Sequence, residues 1–266
     1  MSEPLNPAPS SEERQVKSMS VAAIDGTPVA YIVSLAAVVA VLAMIPIPIS
    51  VVLGSGRNFP MSQSIYPLVG WLLGPIAGAL ADGIGALIGV IIAPHTTSSA
   101  PATIFGAAMG GLAAGAMVNS GARRYWWIPL SLLFAGLYVL YAGRAVWVNQ
   151  VSWTSVLLGS FINWSALLLF VLPTRTVLAG FLQASEMKRV GAGLFVGTWM
   201  IAGLVHLSTG AIVYTIINWP NELWLAIAPL APIEHLIRCI AGTGIGLGVI
   251  GGLRATGLVK PLHARY

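Results

Sequence analysis

Long apolar runs separated by short polar loops make up most of the chain. The runs cover residues 28–45, 66–94, 102–119, 125–143, 152–172, 191–217 and 228–253. A helix crosses the hydrocarbon core of a bilayer with about 20 apolar residues, and runs without alternation favour helices over barrel strands. Only 8% of the 266 residues are charged, whereas soluble domains carry about 25%. The sequence therefore predicts an all-α integral membrane protein, a polytopic helical bundle.

The two ends of the chain differ from this membrane region. Residues 1–27 lack the basic start and the apolar centre of a signal peptide, so we expect a mobile polar tail. Residues 28–253 are predicted to form a single transmembrane helical domain, and residues 254–266 a short basic cytoplasmic tail. The single cysteine, Cys239, lies in an apolar run, which is typical of a buried and inert thiol.

The stretch 66–94 contains a helix break at Gly74-Pro75. Proline has no backbone N–H and disfavours helical conformation in the residue before it. If the stretch folds back there as a hairpin, ten basic residues face the cytoplasm and only Arg57 and Arg144 lie outside, in agreement with the positive-inside rule. The sequence thus predicts about eight membrane segments with both termini cytoplasmic. The hairpin either spans the membrane fully or is re-entrant.

Small residues recur four positions apart along several predicted helices, which is typical of close helix packing in membranes. These faces are Ala36/Ala40, Gly70/Gly74/Gly78, Gly85/Gly89, Gly106/Gly110, Gly111/Gly115 and Gly244/Gly248/Gly252. The stretch 246–251 also matches G-x-G-x-x-G. It lies inside an apolar run instead of between a strand and a helix, so we expect no nucleotide site there.

Ionisable residues inside apolar runs are costly and indicate function by default. Asp82 has three interpretations: a helix cap, a substrate ligand, or a coupling group that relays protons. Glu234 and Arg238 are four residues apart on one helix face, so a structural ion pair competes with a coupling role. We expect His206 to be a buried histidine with a partner, and His235 to face an outer cavity. The histidines show no metal-binding or catalytic spacing, so no catalytic, metal or cofactor site is predicted.

Polar and aromatic side chains collect in the loops that the charge pattern places outside. Aromatic residues at an interface often form only a belt, but Asn and Thr beside Trp also suit a pocket with apolar walls and a few hydrogen-bonding groups. The predicted substrate-binding residues are Asn58, Tyr66, Trp71, His95, Thr96, Trp147, Asn149, Trp153, Trp219, Asn221 and Glu222.

Four stretches carry a family resemblance. They are SLAAVVAVLAMIPIP from Ser34, YPLVGWLLGPIAGALADGIGALIGVI from Tyr66, the glycine-rich run 102–119, and APIEHLIRCIAG from Ala231. Through them roughly half of the chain resembles the S component of energy-coupling factor (ECF) transporters, the membrane subunit that binds a vitamin or related micronutrient.

This resemblance implies a six-helix core, to which this chain adds an extra hairpin within 125–172 or 174–217. It implies that the outer loops 46–63 and 94–101 close over a vitamin-like small-molecule substrate in the cell membrane. It also implies that Ala36 and Ala40 dock on a membrane coupling subunit, which works with two ATP-binding subunits. The chain has no phosphate-binding G-x-x-x-x-G-K-[ST] loop, so ATP hydrolysis would belong to the partners. No nucleic-acid partner is expected.

Three other hypotheses stay open at this point. One is a stand-alone ion-coupled secondary transporter that uses Asp82 and Glu234, because such carriers place their sites on broken helices. Another is an intramembrane enzyme, which the absence of H-E-x-x-H spacing disfavours. The last is a structural subunit of a larger complex.

Overall fold

The computed structural model describes residues 22–47, 59–97, 99–117, 123–257 and 260–266. Within these ranges the chain is almost entirely helical. The α-helices are α1 (Val29–Ala43), α2 (Tyr66–Leu73), α3 (Pro75–Ile92), α4 (Ala100–Met117), α5 (Trp127–Gly143), α6 (Trp153–Gly159), α7 (Phe161–Val171), α8 (Thr174–Leu182), α9 (Met187–Ile216) and α10 (Asn221–Thr256). Two short antiparallel strand pairs join β1 (Ala23–Ile24) to β2 (Thr27–Pro28) and β3 (Pro46–Ile47) to β4 (Phe59–Pro60).

Five of the described helices are long and apolar enough to cross a membrane: α3, α4, α5 with the π-helical turn that extends it to Val148, α9 and α10. A sixth span results if α6 and α7, which are bent by 68° to each other, count as one. The prediction of an all-α polytopic membrane protein is confirmed. The count of eight segments is not, because α1 has only 15 residues and α2 only 8, short of the spanning length.

The helix break at Gly74-Pro75 is confirmed. Helix α2 ends at Leu73, Gly74 has a φ of 86°, and α3 begins at Pro75. Glycine reaches this backbone conformation without the steric penalty of other residues. A Cβ atom built on Gly78 would lie 2.7 Å from the Cα of Gly70, whereas the two residues would be about 12 Å apart in a straight helix. The arms therefore fold back on each other, and α2 is a short arm buried along its whole length.

Glycines bring this hairpin into backbone contact with α4. A Cβ atom on Gly111 would lie 2.6 Å from the carbonyl oxygen of Gly78, and one on Gly115 would overlap the backbone of Pro75. No larger residue fits at these crossings without moving a helix backbone. The predicted close packing of the glycine faces is thus confirmed for α2, α3 and α4.

The predicted packing face Gly244/Gly248/Gly252 on α10 is wrong. Among the described residues, no atom lies within 4 Å of a Cβ built on any of these three glycines. Helix α10 packs instead through Gly242 and Gly246, which are in contact with the segment before α2 and with α9. Spacing alone did not distinguish the two faces, because both carry glycines four residues apart.

The small-residue face of α1 packs inside the chain itself. Ala36 and Ala40 are only 3% and 4% exposed. A Cβ on Gly85 of α3 would lie 2.7 Å from the Ala36 carbonyl oxygen, and one on Gly89 would lie 2.6 Å from Ala43. Helix α3 therefore occupies the face on which the docking of a partner subunit is predicted.

Four parts of the chain meet at one end of the bundle. They are the residues just before α1, the tip of the hairpin, the residues just before α5, and residues 260–266. The backbone N–H of Arg265 donates to the Trp71 carbonyl oxygen at 3.0 Å, and His263 packs over Gly74. Arg123 forms a bidentate ion pair with Asp25, and the hydrogen bond from its Nη2 to Oδ1 of Asp25 is 2.6 Å long. These hydrogen bonds raise the pKa of Arg123 above its ordinary value. The two described ends of the chain therefore meet at the same end of the molecule.

Candidate functional site

A group of ionisable side chains lies inside the bundle at the middle of α10. Glu234, His235 and Arg238 are all buried. Arg238 is the eighteenth of the 36 residues from Asn221 to Thr256, so the group is about equally far from both helix ends. Charges at such a position are costly in a membrane and persist where they pair or serve a function.

Arg238 connects this group. Its Nη2 pairs with the Glu234 carboxylate, so the ion pair that the spacing predicts is confirmed. Its Nη1 donates to Nδ1 of His235 at 2.9 Å, which leaves Nε2 as the protonated nitrogen of a neutral His235. The Nε–H of Arg238 has no hydrogen-bond partner among the described residues. One buried donor of the arginine is therefore available.

A second polar pair extends the group toward α7 and α9. Nδ1 of His206 lies 2.9 Å from Oδ1 of Asn163, and the His206 ring centre is 5.9 Å from that of His235. The expected partner of His206 is thus found. Asn163 is not among the predicted site residues, and its only signal in the sequence is an isolated amide in the apolar run 152–172.

Aromatic rings cover the polar group on two sides. The guanidinium carbon of Arg238 is 4.9 Å from the centre of the Phe59 ring, and Phe59 is 6.4 Å from the ring of His206. The Trp199 ring lies 5.6 Å from His235. We name Phe59, Asn163, Trp199, His206, Glu234, His235 and Arg238 the central cluster.

The described residues do not fully enclose the central cluster. His206, Phe59 and Trp199 are each partly exposed, although the neighbours of His206 along α9, Val205 and Leu207, are buried. Phe59 belongs to β4, the last strand of the predicted closing loop 46–63. The end of that loop is therefore in direct contact with the cluster.

The break between α6 and α7 brings Asn163 to this position. The chain bends by 68° at Ser160, whose hydroxyl donates to the Val156 carbonyl oxygen at 2.6 Å and lies 3.0 Å from the hydroxyl of Tyr138. Asn163 follows in the first turn of α7. Broken helices near the middle of the membrane frame the substrate sites of many transporters, because helix ends offer unpaired backbone groups.

Asp82 lies on the hairpin side of the cluster. It is the eighth residue of α3, which begins at Pro75, so the helix-cap interpretation is wrong. The carboxylate is fully buried, and neither oxygen has a hydrogen-bond partner among the described residues. Tyr66 lies within electrostatic range of both Asp82 and Arg238. The two ionisable sites therefore share one neighbour.

Several predicted loop residues form a separate group at the end of the bundle that carries Asn218. Asn149 donates from Nδ2 to the Tyr214 hydroxyl at 2.7 Å. Trp219 packs edge-on against Tyr214 at 5.4 Å. Asn221 accepts a 3.4 Å hydrogen bond from the backbone of Ser152, and the exposed rings of Trp147 and Trp153 stack edge to face at 6.1 Å. These polar groups are largely paired with one another.

The remaining predicted residues are scattered. Tyr66 is buried in α2, with its hydroxyl 3.2 Å from that of Ser62. Trp71 is buried near the opposite end, where its indole donates to Met117 at 3.4 Å. His95 is exposed.

The two last polar candidates are also apart from the cluster. Thr96 donates within its own turn to the Ala93 carbonyl oxygen, and Glu222 is exposed in the first turn of α10. Asn58 lies outside the described residues. The structure therefore does not bring the predicted substrate residues together in one pocket.

No protein-family model, no curated protein and no solved structure matches this chain. In the described part of the chain, no three His, Cys, Asp or Glu side chains are placed to hold a metal ion. The stretch Gly246–Gly251 lies inside α10. The central cluster is therefore the arrangement on which a function can be based.

Proposed function

We propose that this chain is the substrate-capture membrane subunit of an ATP-driven importer for a small, vitamin-like molecule, similar in role to the S component of ECF transporters. The central cluster is the observation that carries the proposal. Intramembrane charges that face the interior of a bundle mark substrate pathways. Apolar and aromatic walls with a few polar groups are the usual lining of small-molecule sites.

The chemistry of the cluster suits a planar ring with hydrogen-bonding edges. Phe59 and Trp199 offer aromatic faces against which such a ring packs. The unpaired Nε–H of Arg238 and the partly exposed His206 provide polar contacts. Glu234 balances the charge of Arg238. This favours a substrate without net charge, because a charged substrate would leave one buried charge uncompensated.

Capture requires a movable cover, and Phe59 supplies one in this proposal. The β3–β4 pair holds Phe59 opposite Ile47, so a shift of this strand pair moves the ring away from Arg238. A membrane coupling subunit and two ATP-binding subunits are the proposed partners in the cell membrane. Their docking surface is a different one from Ala36 and Ala40, which α3 covers.

Native mass spectrometry of the purified chain, looking for a retained small molecule, tests the capture role. We expect the wild-type protein to retain a molecule that Phe59→Ala retains about tenfold less, because one aromatic contact contributes about 0.5–1.5 kcal/mol beyond its buried area. Phe181→Ala is the matched control, since Phe181 is also partly buried but packs on Gly193, which is not part of the cluster. Equal retention by the two variants contradicts the assignment of the site.

Uptake assays test the importer role separately. We expect accumulation of the retained molecule to require the ATP-binding subunits. Uptake that proceeds unchanged without any ATP-binding subunit contradicts the role of an importer subunit while leaving the binding site intact.

Asp82 favours a second candidate, a stand-alone ion-coupled transporter. Its buried carboxylate has no described hydrogen-bond partner, and intramembrane acids of this kind serve as coupling groups. Uptake driven by a proton or sodium gradient supports this candidate. A fully active Asp82→Asn variant counts against it.

A further inference from the structure

A groove of about 570 Å³ runs between α5 and α9. Its walls are mostly aliphatic and aromatic, with Leu137, Leu140 and Ile212 along its length. It is separate from the central cluster, and none of the cluster residues lines it.

The groove opens on the lipid-facing side of the bundle. Leu140 and Val148 are 67% and 63% exposed, and both belong to the span Trp127–Val148. An apolar surface of this size on a membrane-spanning helix faces hydrocarbon, because water would make its exposure unfavourable. The natural occupant of the groove is therefore part of a lipid molecule.

Arg144 stands at one end of the groove with an unbalanced charge. Its Nε donates to the Tyr214 carbonyl oxygen at 3.1 Å and its Nη2 to Oδ1 of Asn218 at 3.1 Å, and both acceptors are neutral. The ion pairs found in the described ranges do not include Arg144. Nη1 makes no hydrogen bond with the residues the structure describes. The guanidinium is thus held in place with one edge open to an anion.

The π-helical turn Arg144–Val148 shapes the same end of the groove. A Cβ atom on Gly143 would lie 2.6 Å from the Trp147 ring, so the absence of a side chain there lets the indole fold back along the helix. Tryptophan prefers the headgroup level of a bilayer. Arg144 is therefore at the level where lipid phosphates lie, with the aliphatic walls extending toward the hydrocarbon.

We propose that this groove binds an anionic phospholipid, with the phosphate on Arg144 and an acyl chain between α5 and α9. A charge-assisted hydrogen bond from arginine to phosphate is among the stronger polar contacts. Free phosphate matches Arg144 but leaves the apolar walls uncovered. A neutral lipid fills the walls but leaves the arginine charge unbalanced. An anionic lipid satisfies both.

The test is native mass spectrometry of the purified full chain after exchange into vesicles of phosphatidylglycerol or phosphatidylcholine. We expect retention of phosphatidylglycerol to exceed that of phosphatidylcholine by about tenfold, because the choline cation of the second lipid offsets the phosphate charge that would balance Arg144. We expect Arg144→Gln to remove this preference. Arg175→Gln is the matched control. Arg175 already donates to the Val171 and Leu172 carbonyl oxygens and stacks on Trp127 at 3.4 Å, so its loss should leave the preference unchanged.

A second variant tests the apolar part. Leu140→Trp fills the groove without altering Arg144, and we expect it to lower retention of both lipids. The proposal is overturned if Arg144→Gln keeps the wild-type preference or if Leu140→Trp retains lipid like the wild type. It is also overturned if inorganic phosphate alone displaces phosphatidylglycerol from the protein, since the ligand would then be the free anion.

Discussion

Phe59 and Arg238 are in contact across the bundle, with the guanidinium carbon 4.9 Å from the ring centre. Phe59 belongs to a short loop strand, and Arg238 to the middle of the longest helix. A desolvated contact between a cation and an aromatic ring contributes up to about 2 kcal/mol. The position of the strand that carries Phe59 is therefore coupled to the buried ion pair Glu234–Arg238. A change in one should alter the other.

The Glu234–Arg238 pair should behave as one energetic unit. We expect Glu234→Gln to lower the free energy of unfolding by about 3–5 kcal/mol, because it leaves a buried guanidinium without its counter-charge. The double variant Glu234→Leu, Arg238→Met should recover a large part of this loss, since no charge remains buried. Reversible unfolding of the wild type, Glu234→Leu, Arg238→Met and the double variant in mixed detergent micelles measures the cycle. Additive losses would contradict an energetic coupling between the two residues.

The glycine crossing between α3 and α4 should tolerate no side chain. We expect Gly111→Ala to destabilise the protein by about 1–3 kcal/mol, the usual range for overpacking, because its Cβ would lie 2.6 Å from both Asp82 and the Gly78 backbone. Gly248→Ala is the control. Gly248 is also inside a helix, but none of the residues that the structure describes lies within 4 Å of a Cβ built there, so alanine should be neutral or slightly stabilising. Similar losses in both variants would mean that the close crossing at Gly111 is not responsible.

The Asp25–Arg123 pair should contribute modestly to folding stability, and this contribution should depend on the salt concentration. Asp25→Asn is expected to lower stability by about 1 kcal/mol or less, and the loss should shrink at high ionic strength. The raised pKa of Arg123 means that its share of the stabilisation is present throughout neutral pH and is lost only in strong alkali, as pH rises through the folded-state value.

Glu186→Gln serves as the control for this pair. Glu186 and its partner Arg189 are 66% and 62% exposed, so its replacement should leave the unfolding midpoint unchanged. A larger effect at Glu186 than at Asp25 would show that exposure does not govern these pairs.

Labelling with a membrane-impermeant maleimide should distinguish the two ends of the bundle. Gln150→Cys and Glu186→Cys place exposed thiols at opposite ends, while the natural Cys239 is buried and should remain silent. The positive-inside rule predicts that intact cells label only Gln150→Cys and that permeabilised cells label both. Labelling of both variants in intact cells would contradict the predicted topology.

Local patterns in the sequence predicted the elements and some of their contacts. The break at Gly74-Pro75 and the pair Glu234–Arg238 follow from backbone chemistry and helical spacing, which act over a few residues. A helix face can be covered by a segment that is distant in the sequence, and a local pattern does not identify that segment. The spacing of Ala36 and Ala40 therefore indicated a packed face correctly but assigned it to a partner subunit instead of α3.

The central cluster was only partly predictable for the same reason. Its ionisable members on α10 were recognised by the cost of burying charge in a membrane. Phe59 and Asn163 carry no local signal of their own, since an aromatic ring in a loop and an amide in an apolar run occur in many settings. They become members of the site only when the strand β4 and the bend at Ser160 place them beside Arg238.

The packing of His263 over Gly74 has a consequence for biogenesis. His263 follows α10 in the sequence, whereas Gly74 joins the first arms of the bundle. The hairpin tip therefore stays uncovered while the ribosome makes the remaining helices, and the last residues close it after α10 has been released. The N-terminal half must hold its shape through its own glycine contacts until then, so a truncation before residue 260 should leave a membrane-inserted protein whose hairpin tip is open to proteases.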